Sequence, residues 1–269
     1  MIVHGWETLA ATYLAYLAAL GRPKTTLTLR RWQINHFASE AAAAPEAITE
    51  ADILTFFAGH PWQPETRRSM RAAIRGFFGW AHHHGHIPDN PAAGLPQFRV
   101  PKAVARPCPE TIYRQAMEDA TPREQLMLRL AKEAGLRRAE IAQCHRRDVQ
   151  FTAAGPVLLV HGKGAHERVV PITVALAAEL AGSDGWCFPS SRGGHLTPRS
   201  VGVMCSDLLG PDVTLHQLRH SFATNAYRGS RNLPAVQKLL GHSNLAVTER
   251  YLQTDDDELR AAMMHAVVA

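Results

Sequence analysis

Apolar residues recur at helical spacing through most of this chain. Trp6, Leu9, Tyr13, Tyr16, Leu17 and Leu20 share one helical face, and Gly21-Arg22-Pro23 ends the run. A second helix is predicted from Lys24-Thr25 through Trp32 and Ile34 to about Phe37, and a third follows Thr49 with Ile53, Phe56 and Phe57. The fourth begins after Pro64 and carries the stripe Met70, Ile74, Phe77 and Ala81. The pattern then breaks. Between Asn90 and Pro109 stand five prolines (Pro91, Pro96, Pro101, Pro107, Pro109), which fix φ, lack an N–H and so impose an extended connector. Three segments are expected: a helical domain over 1–92, a basic Pro-rich linker over 93–108 and a second domain over 109–269.

In the second domain, helices are predicted for Pro109 to Ala120 and Pro122 to Ala134, the latter ending at Gly135. Val157 to Val160 and Arg168 to Val170 are β-rich runs around a Gly-Lys-Gly turn, which makes a hairpin with Lys163 near its tip. Helical spacing resumes near Thr173. Leu239-Leu240-Gly241 reads as a helix stopped by a glycine, after which Ser243 caps a short helix carrying Tyr251. The predicted class is mainly α with a small β-hairpin or sheet, an α+β arrangement without internal repeats.

Charge sharpens this picture. Residues 1–107 hold 11 Lys/Arg against 7 Asp/Glu, and residues 108–254 hold 17 against 13, so both parts are basic. The acidic run Asp255-Asp256-Asp257-Glu258 offsets them to a net +5. A polyanionic partner is the natural reading. No apolar run is long enough to span a bilayer and no signal-peptide pattern opens the chain, so a cytoplasmic protein without a membrane partner is expected. The scattered Cys108, Cys144, Cys187 and Cys205 are read as reduced thiols.

Candidate chemistry gathers on a few short motifs. His216 and Arg219, within His216-Gln217-Leu218-Arg219-His220, lie one helical turn apart and can converge on one small anion such as a phosphate. Arg137 and Glu140 have the same spacing. Arg67, Arg71 and Arg75 form a ladder four apart, either a solvated face or a row of phosphate contacts, and Arg99 and Lys102 continue the charge into the linker. Gly162-Lys163-Gly164 is not a P-loop: Val157 stands where the first Gly belongs, and no Ser or Thr follows the lysine. His82-His83-His84-Gly85-His86 has metal-ligand spacing but no acidic or Cys partner nearby, so no metal is expected.

Five of these features, in order, resemble the tyrosine recombinase (phage integrase) family. They are Arg137 with Glu140 in Ala134-Gly135-Leu136-Arg137-Arg138-Ala139-Glu140, Lys163 in the hairpin, His216-x-x-Arg219, the Leu-Gly-His box at His242, and Tyr251 nine residues on. The resemblance implies a four-helix, SAM-like core-site DNA-binding domain followed by a catalytic domain. It also implies cleavage and rejoining of double-stranded DNA through a 3′-phosphotyrosyl link, by a homotetramer on two DNA sites. The ester bond is conserved throughout, so no cofactor is implied. Accessory DNA-bending or directionality factors, and a nucleoid-associated place in a bacterial host cell, come with the same likeness.

The implied catalytic residues are Arg137, Lys163, His216, Arg219, His242 and Tyr251, with Glu140 and His220 in support and Arg67, Arg71, Arg75, Arg99 and Lys102 on DNA. Tyr251 is the nucleophile, and His216 accepts its proton or steadies the phosphate. Arg137 and Arg219 clamp the non-bridging oxygens, and His242 adds a hydrogen bond. Lys163 is the general acid for the departing 5′ oxygen. The other tyrosines are excluded by place: Tyr13 and Tyr16 belong to the first domain, Tyr113 follows the linker, and Tyr227 lies eleven residues beyond His216, roughly 16 Å along the helix. The expected biological role is that of a compact phage or mobile-element integrase without an arm-binding domain. The alternatives are a Xer-like dimer resolvase, a type IB topoisomerase and an inactive DNA-binding regulator. A last helix with the stripe Leu259, Met263, Ala266 and Val267 can pack in cis or in a neighbouring protomer.

Overall fold

A computed structural model describes residues 5–98, 106–162 and 166–241. The chain divides into two compact units between Lys102 and Ala103. The first contains α1 (Trp6–Ala19), α2 (Lys24–Glu40), α3 (Glu50–Ala58) and α4 (Pro64–His83), the four helices expected from periodicity. Thr49 caps α3 by accepting from the Asp52 backbone N–H, while the Asp52 carboxylate accepts from the Thr49 N–H at 2.9 Å. The core of this unit is aromatic. Trp6 stacks on Phe77 at 5.7 Å between centroids and meets Phe37 and Phe78 edge-on, and its indole N–H donates to the Ala43 carbonyl. Rings of this size each contribute roughly 1.5–3 kcal/mol on burial. Leu95 is buried in the same core and Phe98 packs against it, so the first unit's packing runs past Ala92 into the proline-rich stretch.

The second unit runs α5 (Glu110–Asp119), α6 (Pro122–Glu133), α7 (Arg138–Ala142), β1 (Val149–Thr152), β2 (Gly155–His161), β3 (Glu167–Pro171), α8 (Val174–Ala181), α9 (Pro198–Leu209), α10 (Leu215–Ser230) and α11 (Leu233–Leu240). The three strands form an antiparallel sheet in sequence order, with Leu158 opposite Val170 and Val160 opposite Arg168. Strand β1 was not expected. Val149-Gln150-Phe151-Thr152 alternates apolar and polar, but over four residues only, and three of the four are exposed, so the pattern is too short to stand out. Met127, Leu128, Leu130, Leu136, Ile141, Phe188 and Leu218 fill a core shared by the helices and the sheet. The mainly helical α+β class holds. Among the described residues no helix is long and apolar enough to cross a membrane.

Two glycines fix the ends that matter for function. Gly135, after α6, has φ +64°, and a Cβ there would collide with the Phe222 ring. Gly241, after α11, has φ +61°, and a Cβ would come within 3.0 Å of the Arg168 side chain. Both backbones adopt the left-handed conformation that side chains disfavour.

Candidate active site

One buried carboxylate organises the second unit. Glu140 occupies the third position of α7, so its carboxylate reaches back to accept the Arg137 backbone N–H at 2.8 Å, as in a helix cap. It also accepts Arg137 Nη1 at 2.8 Å. From β3, Arg168 closes a two-toothed contact on it, Nη1 to Oε1 at 2.7 Å and Nη2 to Oε2 at 2.8 Å. Arg219 Nη1, from α10, stands 3.6 Å from Oε2. Burial by itself would raise this carboxyl, but the hydrogen bonds from Arg168 and the Arg137 backbone, with the charges of Arg168 and Arg219, outweigh it and hold it at about 2. Glu140 is therefore ionised at any physiological pH.

Arg168 and Arg219 carry the same organisation to α11. Arg168 Nε donates to the Leu239 carbonyl at 2.7 Å, and Arg219 Nη2 to the Leu240 carbonyl at 2.6 Å. These are carbonyls of the last helical turn, which lack helical partners and attract cations. Arg219 Nη1 donates to the Gly135 carbonyl as well. The segment that leads into His242 is thus tied to the carboxylate that positions Arg137.

The sequence places His216 and Arg219 with similar economy. Thr214 precedes α10, and its backbone N–H donates to the Gln217 side chain at 2.7 Å, which fixes the helix start one residue before His216. His216 and His220 follow one turn apart with ring centroids at 4.4 Å. Partial enclosure, then the charges of Arg219 and Arg137, hold His216 below the usual histidine value. Enclosure, His216 and Arg219 push His220 down to about 4. Both rings are neutral near pH 7, so each has a nitrogen that can accept a hydrogen bond.

His216 borders an open cleft of ≈ 660 Å³, whose lining includes Arg137, Arg138, Arg199 and Arg219 and, among the described residues, no acidic side chain. Around Glu140 three guanidinium groups face one carboxylate. The surplus positive charge points to an anion, and planar guanidinium donors suit phosphate oxygens. Arg137 is the open member, 40% exposed at its side chain. Arg219 is 1% exposed and commits both terminal nitrogens to carbonyls, although each carries a second hydrogen.

A family model described as the phage integrase family matches residues 110–258, more than half of the chain and nearly all of the second unit. The chain belongs to the phage integrase family of tyrosine recombinases. It is 32% identical over 240 residues to tyrosine recombinase XerC of Xylella fastidiosa, covering 80% of each chain. With XerC of Chromobacterium violaceum the identity is 31% over 274 residues, covering 92% of this chain and 90% of the other. The fold of the recombinase is similar to that of lambda integrase residues 75–356 in a dimer bound to a core site, with a TM-score of 0.73, 21% identity and coverage of 93% and 95%. These relations make the protein a tyrosine-type site-specific DNA recombinase with the two-domain arrangement of the family.

Within the recombinase's described residues, Arg137, Glu140, His216, Arg219 and His220 come together as above. Lys163, His242, Tyr251, Arg99 and Lys102 lie outside the described residues, as does the last helix expected after Glu258. The arginine ladder of α4 has partners in its own unit. Arg71 and Arg75 donate to the Leu95 carbonyl at 2.6 and 3.4 Å, and Arg67 donates to the Phe57 carbonyl while its guanidinium lies 5.0 Å over the Phe98 ring. Arg75 remains exposed and the other two are half-buried. These arginines stitch the Leu95–Phe98 stretch to α4 before any ligand is present.

Arg168 is the residue of this cluster that sequence reasoning left without a role. A signal was available. Arg168 lies two residues before the fully buried Val170 on a strand, so it faces the same side, and a charge aimed into a core needs a partner.

Proposed function

We propose that this recombinase cuts one DNA strand by attack of the Tyr251 hydroxyl on a backbone phosphate. The Tyr251 oxygen–phosphorus bond forms, the bond from phosphorus to the 5′ oxygen breaks, and a 3′-phosphotyrosyl link and a free 5′ hydroxyl result. Rejoining reverses these bonds with a 5′ hydroxyl from the partner duplex. The observation that carries this reading is the cleft on which Arg137, from the start of α7, and His216 and Arg219, both from α10, converge with no acidic side chain among the described residues of its lining. In it Arg137 takes the non-bridging oxygens directly, Arg219 adds charge from the cleft floor, and neutral His216 accepts the phenolic proton or a phosphate hydrogen bond. Lys163 protonates the leaving 5′ oxygen, His242 donates to the phosphate, and Glu140 and His220 hold the set in place. Arg75, Arg99 and Lys102, with the free donors of Arg67 and Arg71, contact phosphates along the core site.

The assembly proposed is a homotetramer on two DNA sites, a reading supported by the likeness to lambda integrase solved as a tetramer on a Holliday junction. In it the last helix docks into a neighbouring protomer. Activity would take place on the bacterial chromosome or plasmid in the cytoplasm, with accessory DNA-bending factors.

The role is that of a compact mobile-element integrase or of a Xer-like resolvase of replicon dimers. Similarity to XerC proteins over four fifths or more of both chains supports the second. Trapping the covalent complex on a nicked DNA library and sequencing the attached strand tests both levels. Recovery of one replicon site with two inverted half-sites favours dimer resolution, and recovery of an unlike pair from element and host favours integration. If no strand is attached through tyrosine, the cleavage mechanism itself fails.

A further inference from the structure

The first unit holds a cluster of metal-ligating side chains outside the proposed cleavage site. His36 and Glu40 lie one turn apart on α2, and His60 lies in the connection between α3 and α4. The three ligand atoms lie within 4.8 Å of one another. Glu40 Oε1 is 3.3 Å from His60 Nε2 and 3.7 Å from His36 Nε2.

These separations are long for hydrogen bonds to a carboxylate, which run about 2.7–2.9 Å when charge-assisted. They match a shared ion. Bonds of about 2.0–2.1 Å in tetrahedral geometry set neighbouring ligand atoms roughly 3.3 Å apart. The tautomer of His60 agrees. Its Nδ1 stands 2.9 Å from the Phe56 carbonyl, and a carbonyl can only accept, so Nδ1 carries the hydrogen. In the neutral ring the Nε2 lone pair then faces a carboxylate oxygen, an arrangement that a cation between them turns from repulsive to attractive.

Both rings are held before any ion arrives. Trp32 stacks on His36 at 5.2 Å and 16°, Trp62 stacks on His60 at 4.1 Å and 22°, and Phe56 packs against both. Glu40 and His60 also line a cleft of ≈ 450 Å³, which leaves room for water at a fourth position. Two imidazoles and one carboxylate with an open position form a donor set typical of zinc.

We propose that His36, Glu40 and His60 bind a divalent transition metal of the zinc class, which staples α2 to the turn between α3 and α4. The site belongs to the helical unit, whereas the proposed cleavage residues belong to the other, so the role assigned to the metal is that of a structural staple within its own unit. It departs from the metal-free expectation drawn from the sequence, where His36 and Glu40 have ligand spacing but His60, twenty residues beyond Glu40, is brought to them only by the fold.

The test uses the full chain, without a polyhistidine tag and stripped with chelator, titrated with Zn²⁺ and separately with Co²⁺. Expected are a single tight Zn²⁺ equivalent, a visible ligand-field band of low-symmetry Co²⁺, and quenching of tryptophan fluorescence by Co²⁺ through Trp32 and Trp62. Loss of an outer partner of a metal ligand costs about 10- to 100-fold in affinity, so His36→Gln and His60→Gln should each weaken Zn²⁺ binding at least that much. His82→Gln/His86→Gln should leave it unchanged. Tight binding retained in the first two variants, or lost in the double variant, overturns the proposal. So does an octahedral Co²⁺ spectrum without fluorescence quenching in the unmodified chain, a result independent of whether any variant folds.

Discussion

Arg168 grips Glu140 with both terminal guanidinium nitrogens, at 2.7 and 2.8 Å, while its Nε holds the Leu239 carbonyl. One side chain therefore joins the sheet, the carboxylate that positions Arg137, and the end of α11 that leads to His242. The geometry of the proposed cleavage site thus rests in part on Arg168, whose three donor nitrogens are all committed within the protein.

Removing Arg168 leaves Glu140 with a buried charge and fewer partners. Both side chains are nearly enclosed, 10% and 3% exposed, and breaking such a pair costs about 3–5 kcal/mol. Arg168→Ala should lose stability of that order in urea unfolding. Arg168→Lys should recover only part of it, since an ammonium cannot reproduce the fork and the Nε contact together. A Lys variant as stable and as active as the parent would show that the planar geometry is unimportant.

How much of this was legible in the sequence depends on the range of the interaction. Helices α1 to α4 were readable because apolar spacing is local, and Gly241 because a helix stop is local. The Arg137–Glu140 and His216–Arg219 pairs were readable for the same reason. Arg168 is 28 residues from Glu140, and Arg219 is 84 from the Gly135 carbonyl that it holds, so only tertiary packing brings them together. The arginine ladder of α4 misled in one respect. Periodicity showed three arginines on one face but not that Leu95 and Phe57 would offer carbonyls to them.

Gly135 and Gly241 offer a backbone test. Forcing a residue with a side chain into the left-handed conformation costs about 1–2 kcal/mol, and crowding with Phe222 or Arg168 adds to it. Gly241→Ala should therefore lower stability by at least that amount and slow strand cleavage by disturbing the Arg168 contact. Unfolding curves and single-turnover cleavage measured on the same preparation would expose a harmless substitution.

The hairpin that carries Lys163 should be sensitive to pH. His161 lies 3.1 Å from the buried Asp148 carboxylate and 2.9 Å from Glu167, and the Asp148 hydrogen bond outweighs partial burial to raise its pKa. Protonated His161 bridges the two acids. A raised folded-state value gives stability that is complete below the ordinary histidine pKa, about 6.5, and disappears as pH rises through the folded value. Stability followed by chemical denaturation should fall across that window, and His161→Gln should flatten the fall. An unchanged pH profile in the variant would remove His161 from the hairpin's support.

Arg137 is the open guanidinium of the cleft, so its replacement should affect the reaction more than folding. Loss of a charge-stabilising donor at a reacting centre costs about 10²–10³ in rate. Arg137→Ala should slow covalent adduct formation by that factor or more while DNA binding in a gel-shift assay changes little. Lysine should rescue poorly, because a point charge cannot match two oxygens at once. Full rescue by lysine would leave the two-oxygen contact without support.

The nucleophile is tested by removing one oxygen atom. Tyr251→Phe retains the ring and should keep DNA binding while abolishing the covalent adduct on a nicked substrate. Tyr227 is the control, because it shares α10 with His216 but lies about 16 Å further along the axis, beyond reach of the same phosphate. Its ring also packs against the small cluster of Ala223, Val236 and Leu240, so Tyr227→Phe preserves what the side chain contributes to folding. Adduct formation should therefore persist in Tyr227→Phe at the parent rate. Denaturing gels of labelled DNA distinguish the cases directly: an adduct in the Tyr251 variant would assign the attack elsewhere, and its loss in the Tyr227 variant would mean that the distance argument along α10 is wrong.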